Sequence, residues 1–253
     1  MIFVSRQKFK LLKPYGSVER VRRVLGDVVE VVGERCVNEE NLIRAVRGVD
    51  LLMADVDVVV TKNVICAGDK LKAVVCCAQG VDFVDLNAAT EKGVLVTNVP
   101  DYAVVAVAEH VLGLMFAIAR KIVSAHLAAV SGNWNKRGEF EGVELQGKTL
   151  GIIGIGRIGR CLALKAKGLG MRILAYDPYV SEGSAKKLGV ELVNLEPLLK
   201  SSDFISIHVP LMDSTRKMIG ERQLKMMKKS AFIINCARGL VVDQKALIKA
   251  LKE

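Results

Sequence analysis

The stretch GKTLGIIGIGRIGRCLALKAKG, residues 147–168, decides how this chain is folded. Within it, TLGIIGI (149–155) is a short apolar run with β-branched residues and reads as a buried strand. GRCLALKAKGLG (159–170) reads as a helix. The junction holds Gly154, Gly156 and Gly159 in the pattern G-x-G-x-x-G. A strand, a glycine-rich turn and a helix in immediate succession open a βαβ unit, which predicts a mostly parallel sheet.

The same alternation continues on both sides. Downstream, RILAYD, DFISIHV and AFIINC read as strands. LEPLLKSS, GERQLKMMKKS and VVDQKALIKALKE read as helices between and after them. Arg238 follows an apolar run, Ala231 to Ile234, that reads as a buried strand. Upstream, VVEVV (28–32), LLMADVDVVV (51–60), AVVCCA (73–78) and VLVTNV (94–99) read as strands. NEENLIRAVRG (38–48) and DLNAATEKG (85–93) read as short helices ending at glycine. Residues 101–131 read as one long helix, with Asp101 as N-cap and Gly132 as terminator, followed by the polar loop GNWNKRGEFEG. The reading divides the chain into an α/β block over 1–100, a linking helix over 101–132 and a second α/β block over 133–253. No short repeat is present, which excludes a solenoid.

The glycines carry chemistry as well as fold. In this pattern the first glycine permits a tight turn, the second lets backbone approach a pyrophosphate, and the third lets helix and strand pack closely. The helix N-terminus offers free N–H donors and a positive dipole to phosphate. An acidic residue completes the set: Asp177, at the end of the next strand and eighteen residues after Gly159, is placed for the adenosine ribose hydroxyls. A carboxylate there repels a 2′-phosphate, so NAD is expected in preference to NADP. The alternative is a glycine-rich turn with no ligand.

Composition narrows the rest. The 253 residues exceed the usual size of one domain, and 51% are hydrophobic, ample for a core. The net charge of +10 fits either an anionic partner or a lysine-rich solvated surface. The densest basic clusters, Arg20/Arg22/Arg23 and Lys225/Lys228/Lys229, are not interleaved with aromatics, so no nucleic-acid partner is expected. Six cysteines include no C-x-x-C pair and there are only three histidines, which argues against a metal site. Scattered single cysteines fit a reducing, cytoplasmic compartment. The start MIFVSRQKFK lacks a signal-peptide pattern. Glu109 and His110 interrupt the apolar run 102–119, which therefore reads as a buried helix and not a membrane span.

Four segments give the chain a resemblance: GVDFVDLNAATEKGVLVTNVP (80–100), GKTLGIIGIGRIGR (147–160), HVPL (208–211) and NCARGLVVDQKAL (235–247). On these it resembles the D-2-hydroxyacid dehydrogenases, a family that includes phosphoglycerate dehydrogenases and glyoxylate/hydroxypyruvate reductases. The resemblance implies two doubly wound parallel-sheet domains joined by a long helix. The first would be a flavodoxin-like substrate domain and the second a Rossmann NAD-binding domain. The helix would supply a homodimer contact. Arg157 and Ile158 would lie along the pyrophosphate, and His208, Val209 and Pro210 would line the adenine–ribose side. Cys236 and Ala237 would approach the nicotinamide. Gln79 and Gly80 would offer backbone N–H groups to a substrate carboxylate, with Gln79 also near the cofactor. Arg238 would bind that carboxylate and the keto or hydroxyl oxygen of a small 2-keto or 2-hydroxy acid. The residue type supports this last role independently. Arg238 lies just past a strand's carboxyl end, where open α/β sheets bind ligands, and its planar fork suits a carboxylate. The alternatives for Arg238 are capping a neighbouring helix or pairing with Asp243.

Two departures from the family pattern follow. The family completes its site with a histidine and a carboxylate downstream of the arginine, as proton donor and its partner. No residue up to Glu253 matches either, since His110, His126 and His208 lie elsewhere in the pattern. The expectation is a chain missing its proton-transfer segment and so of little activity, or an NAD-binding regulatory or scaffold protein. The second departure is in CCAQGVDFVD (76–85), where Cys77 lies near the position at which phosphoglycerate-specific relatives tend to carry an arginine. Glyoxylate or hydroxypyruvate then fits at least as well as 3-phosphoglycerate.

Overall fold

A computed structural model describes residues 8–14 and 16–253. The start of the chain, Met1–Gln7, where no signal-peptide pattern was read, lies outside the described residues. The chain divides into two compact units, Met1–Tyr102 and Ala103–Glu253.

The first unit runs β1 (Phe9–Lys13), α1 (Val18–Leu25), β2 (Val29–Gly33), α2 (Glu39–Ala45), β3 (Leu51–Ala54), α3 (Lys62–Ala67), β4 (Ala73–Cys76), α4 (Leu86–Lys92) and β5 (Leu95–Thr97). Its helix starts are local chemistry. Ser17, Asn38, Thr61 and Asp85 each accept a hydrogen bond from the backbone N–H three residues on. All five strands are parallel, in the order β2-β1-β3-β4-β5. Successive strand residues face opposite ways. Leu12 packs with α2, α3 and α4, while Leu11 packs with α1.

The second unit runs α5 (Val104–Ala119), α6 (Ile122–Val130), β6 (Thr149–Ile153), α7 (Arg157–Gly168), β7 (Arg172–Tyr176), α8 (Glu182–Lys187), β8 (Glu191–Leu192), α9 (Leu195–Ser201), β9 (Phe204–Ile207), α10 (Glu221–Met226), β10 (Phe232–Asn235) and α11 (Gln244–Ala250). Its strands are also all parallel, ordered β10-β9-β6-β7-β8. Both orders are those of doubly wound sheets, the first flavodoxin-like and the second Rossmann. One face of the second sheet packs with α5 and α7 through Met115, Ile152 and Leu162. The other packs with α9 through Ile153, Leu198 and Ile205. α5 is therefore part of this unit's own core, and Glu109 on it pairs with Lys165 of α7 at 2.8 Å.

Several expectations are corrected. The single helix over 101–131 is two helices bent by 62°. Lys121 takes a left-handed φ of 51°, and the N–H of Val143 donates to the Ala119 carbonyl (2.8 Å), an acceptor a continuous helix would need for itself. Asp101 is not its N-cap residue: that position belongs to Ala103, and α5 begins at Val104. α5 is buried on one face only, with Val105 and Phe116 exposed. Among the described residues no single helix is long and apolar enough to cross a membrane. The strand expected over 51–60 ends at Ala54, because Asp55 accepts the N–H of Asp57 (3.3 Å) and the Lys13 ammonium (3.3 Å) and turns the chain away. Of the run 231–234 only Ile234 is buried and the other three are half-buried, because β10 is at the edge of its sheet. The elements β1, α1, α3, α8 and β8 had not been read, nor had the 3-10 turn Trp134–Phe140 inside the polar loop.

Candidate dinucleotide site

In the second unit the strand order reverses between β6 and β9, and ligands of open α/β sheets bind outside the carboxyl ends at such a point. The loops there are 154–156 after β6 and 208–210 after β9, and they are packed together. Gly154 has φ +93°, and a Cβ on it would stand 2.9 Å from the His208 carbonyl carbon and oxygen and 3.0 Å from Val209 Cγ1. Its N–H donates to the Tyr176 carbonyl at 2.8 Å. A Cβ on Gly159 would stand 2.3 Å from the Gly154 carbonyl oxygen, so helix α7 rests directly on the loop. Those two glycines are required by the chain itself.

Gly156 is different. Its φ of −72° suits any residue, and a Cβ there would meet no atom of the described residues within 4 Å. Nothing in the protein asks for glycine at this position. What remains is space for something that comes against the backbone from outside. Gly156 is the N-cap of α7, no side chain caps that helix, and first-turn N–H groups have no intrahelical acceptor. An open, uncapped helix N-terminus beside a side-chain-free position fits a pyrophosphate.

The carboxylate of Asp177, expected on the ribose, meets the chain's own backbone. Its Oδ2 accepts the Ile155 N–H at 3.0 Å and its Oδ1 accepts the Tyr179 N–H at 2.9 Å. Each oxygen keeps a second lone pair for a hydroxyl donor. Arg157 and Ile158 form the first turn of α7. His208 donates its backbone N–H to the Ile153 carbonyl (2.7 Å), and its Nε2 lies 2.8 Å from Ser206 Oγ. Burial pushes its pKa down to about 4, so the ring is neutral at physiological pH. Val209 is half-buried and Pro210 exposed.

The loop after β10, next to β9, carries Cys236, Ala237 and Arg238, all half-buried. Burial raises the Cys236 pKa, which keeps it a thiol. Asn235, which the sequence reading passed over, brackets this loop. Its Oδ1 accepts the Ala237 N–H (3.0 Å) and its Nδ2 donates to the Arg238 carbonyl (2.9 Å). An asparagine closing a strand two residues before the backbone it binds is a local signal that could have been read. Arg238 has an extended backbone, and its Nη1 donates to the Ala237 carbonyl at 3.1 Å. Asp243, the alternative partner considered for Arg238, caps α11 and pairs with Lys217 at 3.3 Å.

Gln79 and Gly80 belong to the first unit, on the loop past β4, both half-buried. That loop is pinned by Cys77 N–H to Ala54 O (2.8 Å), Val99 N–H to Ala78 O (3.1 Å) and Asn98 Nδ2 to Gln79 O (2.7 Å). The charge is unevenly shared. Residues 103–253 hold 23 Lys and Arg against 13 Asp and Glu, whereas residues 1–102 hold 14 of each. The whole excess of +10 thus sits on the unit with the glycine-rich loop, where it favours approach of an anion.

Comparison with known proteins identifies the family. The family described as "D-isomer specific 2-hydroxyacid dehydrogenase, NAD binding domain" matches residues 112–253. The chain is 45% identical over 232 residues to a D-3-phosphoglycerate dehydrogenase of Methanocaldococcus jannaschii, covering 91% of this chain and 44% of that protein. It is 46% identical over 218 residues to a glyoxylate reductase of Thermococcus litoralis, covering 84% and 66%. The chain thus spans between about half and two thirds of the length of these relatives. Among solved structures, a D-lactate dehydrogenase from Aquifex aeolicus, complexed with NAD and lactic acid, superposes with a TM-score of 0.89. It is 30% identical, over 96% of this chain and 73% of that one.

Proposed function

Because the chain belongs to the D-isomer specific 2-hydroxyacid dehydrogenase family and carries its NAD binding domain, we propose that it serves hydride exchange between NAD and the 2-carbon of a small 2-hydroxy or 2-keto acid. The observation that carries this reading is Gly156, a glycine with ordinary φ and open space at an uncapped helix start. The bound nicotinamide would supply the hydride acceptor or donor. The N–H groups of the first turn of α7 would hold the pyrophosphate, with Arg157 and Ile158 alongside, and Asp177 the ribose. His208, Val209 and Pro210 would border the adenine–ribose side, and Cys236 and Ala237 the nicotinamide. Arg238 would grip the acid's carboxylate and polarise its 2-oxygen; within the first unit, Gln79 and Gly80 are the residues to which the family resemblance assigns backbone donation. The position of Cys77 supports glyoxylate or hydroxypyruvate as substrates alongside 3-phosphoglycerate. Six free cysteines support a reducing compartment, the cytoplasm.

The acid site is tested without turnover, by titrating the keto-acid analogue oxamate into the NADH-saturated protein. Oxamate is expected to bind, and Arg238→Lys to weaken it about 30-fold while leaving NADH affinity within about threefold, since a single ammonium loses the bidentate grip. Equal oxamate affinity in the two proteins would remove Arg238 from the acid site. Binding without turnover has its own support. His208, whose pKa lies at about 4, cannot donate a proton at pH 7, and His110 and His126 lie on α5 and α6. NADH oxidation with hydroxypyruvate by these 253 residues is therefore expected near the blank rate, and rapid oxidation would refute the absence of an acid–base residue.

A homodimer is supported by the apolar surface of α6 and its surroundings, where Ile122, Val123, Leu127, Val130 and Trp134 are all exposed. Leu127→Glu is expected to shift the protein to monomer in sedimentation, and an unchanged sedimentation coefficient would count against this face.

A further inference from the structure

We propose that Arg160 is a positioning residue of the dinucleotide site, orienting the Ile155–Gly156 peptide so that the Gly156 N–H faces the pyrophosphate. This rests on the NAD reading above. The charge of Arg160, four residues past Gly156, invites a direct role at phosphate, but its guanidinium is turned back onto the glycine-rich loop. Its Nε donates to the Ile155 carbonyl at 3.0 Å. The structure contains no cis peptide among the described residues, and in a trans peptide the C=O and N–H point in opposite directions. Fixing the Ile155 carbonyl against Arg160 therefore fixes the Gly156 N–H away from it.

The preceding peptide is held as well. The Ile155 N–H donates to Asp177 Oδ2 at 3.0 Å, and the Gly154 N–H donates to the Tyr176 carbonyl at 2.8 Å. Ile155 itself is fully buried. Two successive peptide planes are thus each locked by one charged side chain, Asp177 on one and Arg160 on the other. Gly156 would otherwise be the loosest point of the loop, because glycine carries the largest backbone freedom and its neighbourhood is open. Arg160 is held in reach by its own helix: its backbone N–H donates to the Gly156 carbonyl at 3.0 Å, the first bond of α7. The clamp closes on the residue it serves. Donors fixed before the ligand arrives lose less entropy on binding, which is where the affinity would come from.

The test separates geometry from charge. Arg160→Lys keeps the charge and loses the Nε–H, while Arg160→Met loses both. NADH affinity is measured by calorimetry and backbone order by amide hydrogen exchange. Both variants are expected to bind NADH about tenfold more weakly, the equivalent of one hydrogen bond from a charged donor. Exchange is expected to rise at residues 154–158 alone. Wild-type affinity in Arg160→Lys with a loss in Arg160→Met would assign Arg160 to charge and overturn the proposal. So would wild-type affinity in both variants, or exchange rising equally through β6 and α7, which would mark general unfolding. If the unaltered chain does not bind NADH, the NAD reading falls and this proposal with it. If it binds and the variants match it, only this proposal falls.

Discussion

Gly156→Ala is expected to lower NADH affinity by about 100-fold or more, near 2.7 kcal/mol, without changing stability. The added methyl meets no atom of the described residues and asks for no unusual φ, so the folded chain has no reason to resist it. It would occupy the space against which the pyrophosphate lies and push the phosphates off the first-turn N–H groups. Gly154→Ala is expected to act oppositely in kind. There the φ of +93° is strained for an L-residue, and the methyl is driven to 2.9 Å from the His208 backbone, which cannot swing aside as a flexible side chain would. A loss of about 2–4 kcal/mol is expected, lowering the melting temperature by about 5–15 °C, with NADH binding lost as the loop shifts. The pair is read by thermal unfolding and calorimetry together. Unchanged NADH affinity in Gly156→Ala would remove the observation on which the cofactor assignment rests. A melting temperature as low as that of Gly154→Ala would show that Gly156 serves the fold instead.

NADPH is expected to bind roughly 100-fold more weakly than NADH. The 2′-phosphate would have to sit beside the Asp177 carboxylate, and two like charges about 4 Å apart near a protein surface repel by up to about 4 kcal/mol, part of which solvent relieves. Removing the charge is not expected to convert the protein. Both Asp177 oxygens already accept backbone N–H groups, from Ile155 and Tyr179. Asp177→Asn offers only one acceptor oxygen, so one of those bonds is lost. The substitution should narrow the NADH preference to within about tenfold while weakening NADH itself by about tenfold. Calorimetric titration of both cofactors into both proteins decides it. Equal or tighter NADPH binding by the unaltered chain would sink the preference, and undiminished NADH binding by Asp177→Asn would deny the carboxylate its hold on the loop.

Much of the architecture was legible because its signals are local. Asn38 and Asp85 stand where helices start and Gly93 where one ends, since a cap is a bond between residues three or four apart. The alternation of short apolar runs with helical stretches announced parallel sheets. Elements with weak local patterns escaped: β1, FKLLK, has two lysines in five residues, and α1, VERVRRVL, offers only a thin apolar stripe. Where a distant segment intervenes, the local pattern misled. The stretch 101–131 reads as one helix in composition, yet the N–H of Val143, more than twenty residues on from Ala119, takes the Ala119 carbonyl and the helix breaks.

The candidate site divides in the same way. By itself the sequence determined the spacing of Gly154, Gly156 and Gly159, the acid at Asp177, the arginine past β10 and hence the kind of cofactor. These are facts of residue type and interval. Only the tertiary structure showed what each of the three glycines meets: two are forced by backbone, from the loop after β9 and from the glycine-rich loop itself, and one faces open space. It alone turned Arg160 onto Ile155 and gave both Asp177 oxygens to backbone donors. The direction in which a side chain spends its hydrogen bonds depends on groups that folding brings near it, and spacing along a chain does not contain that information.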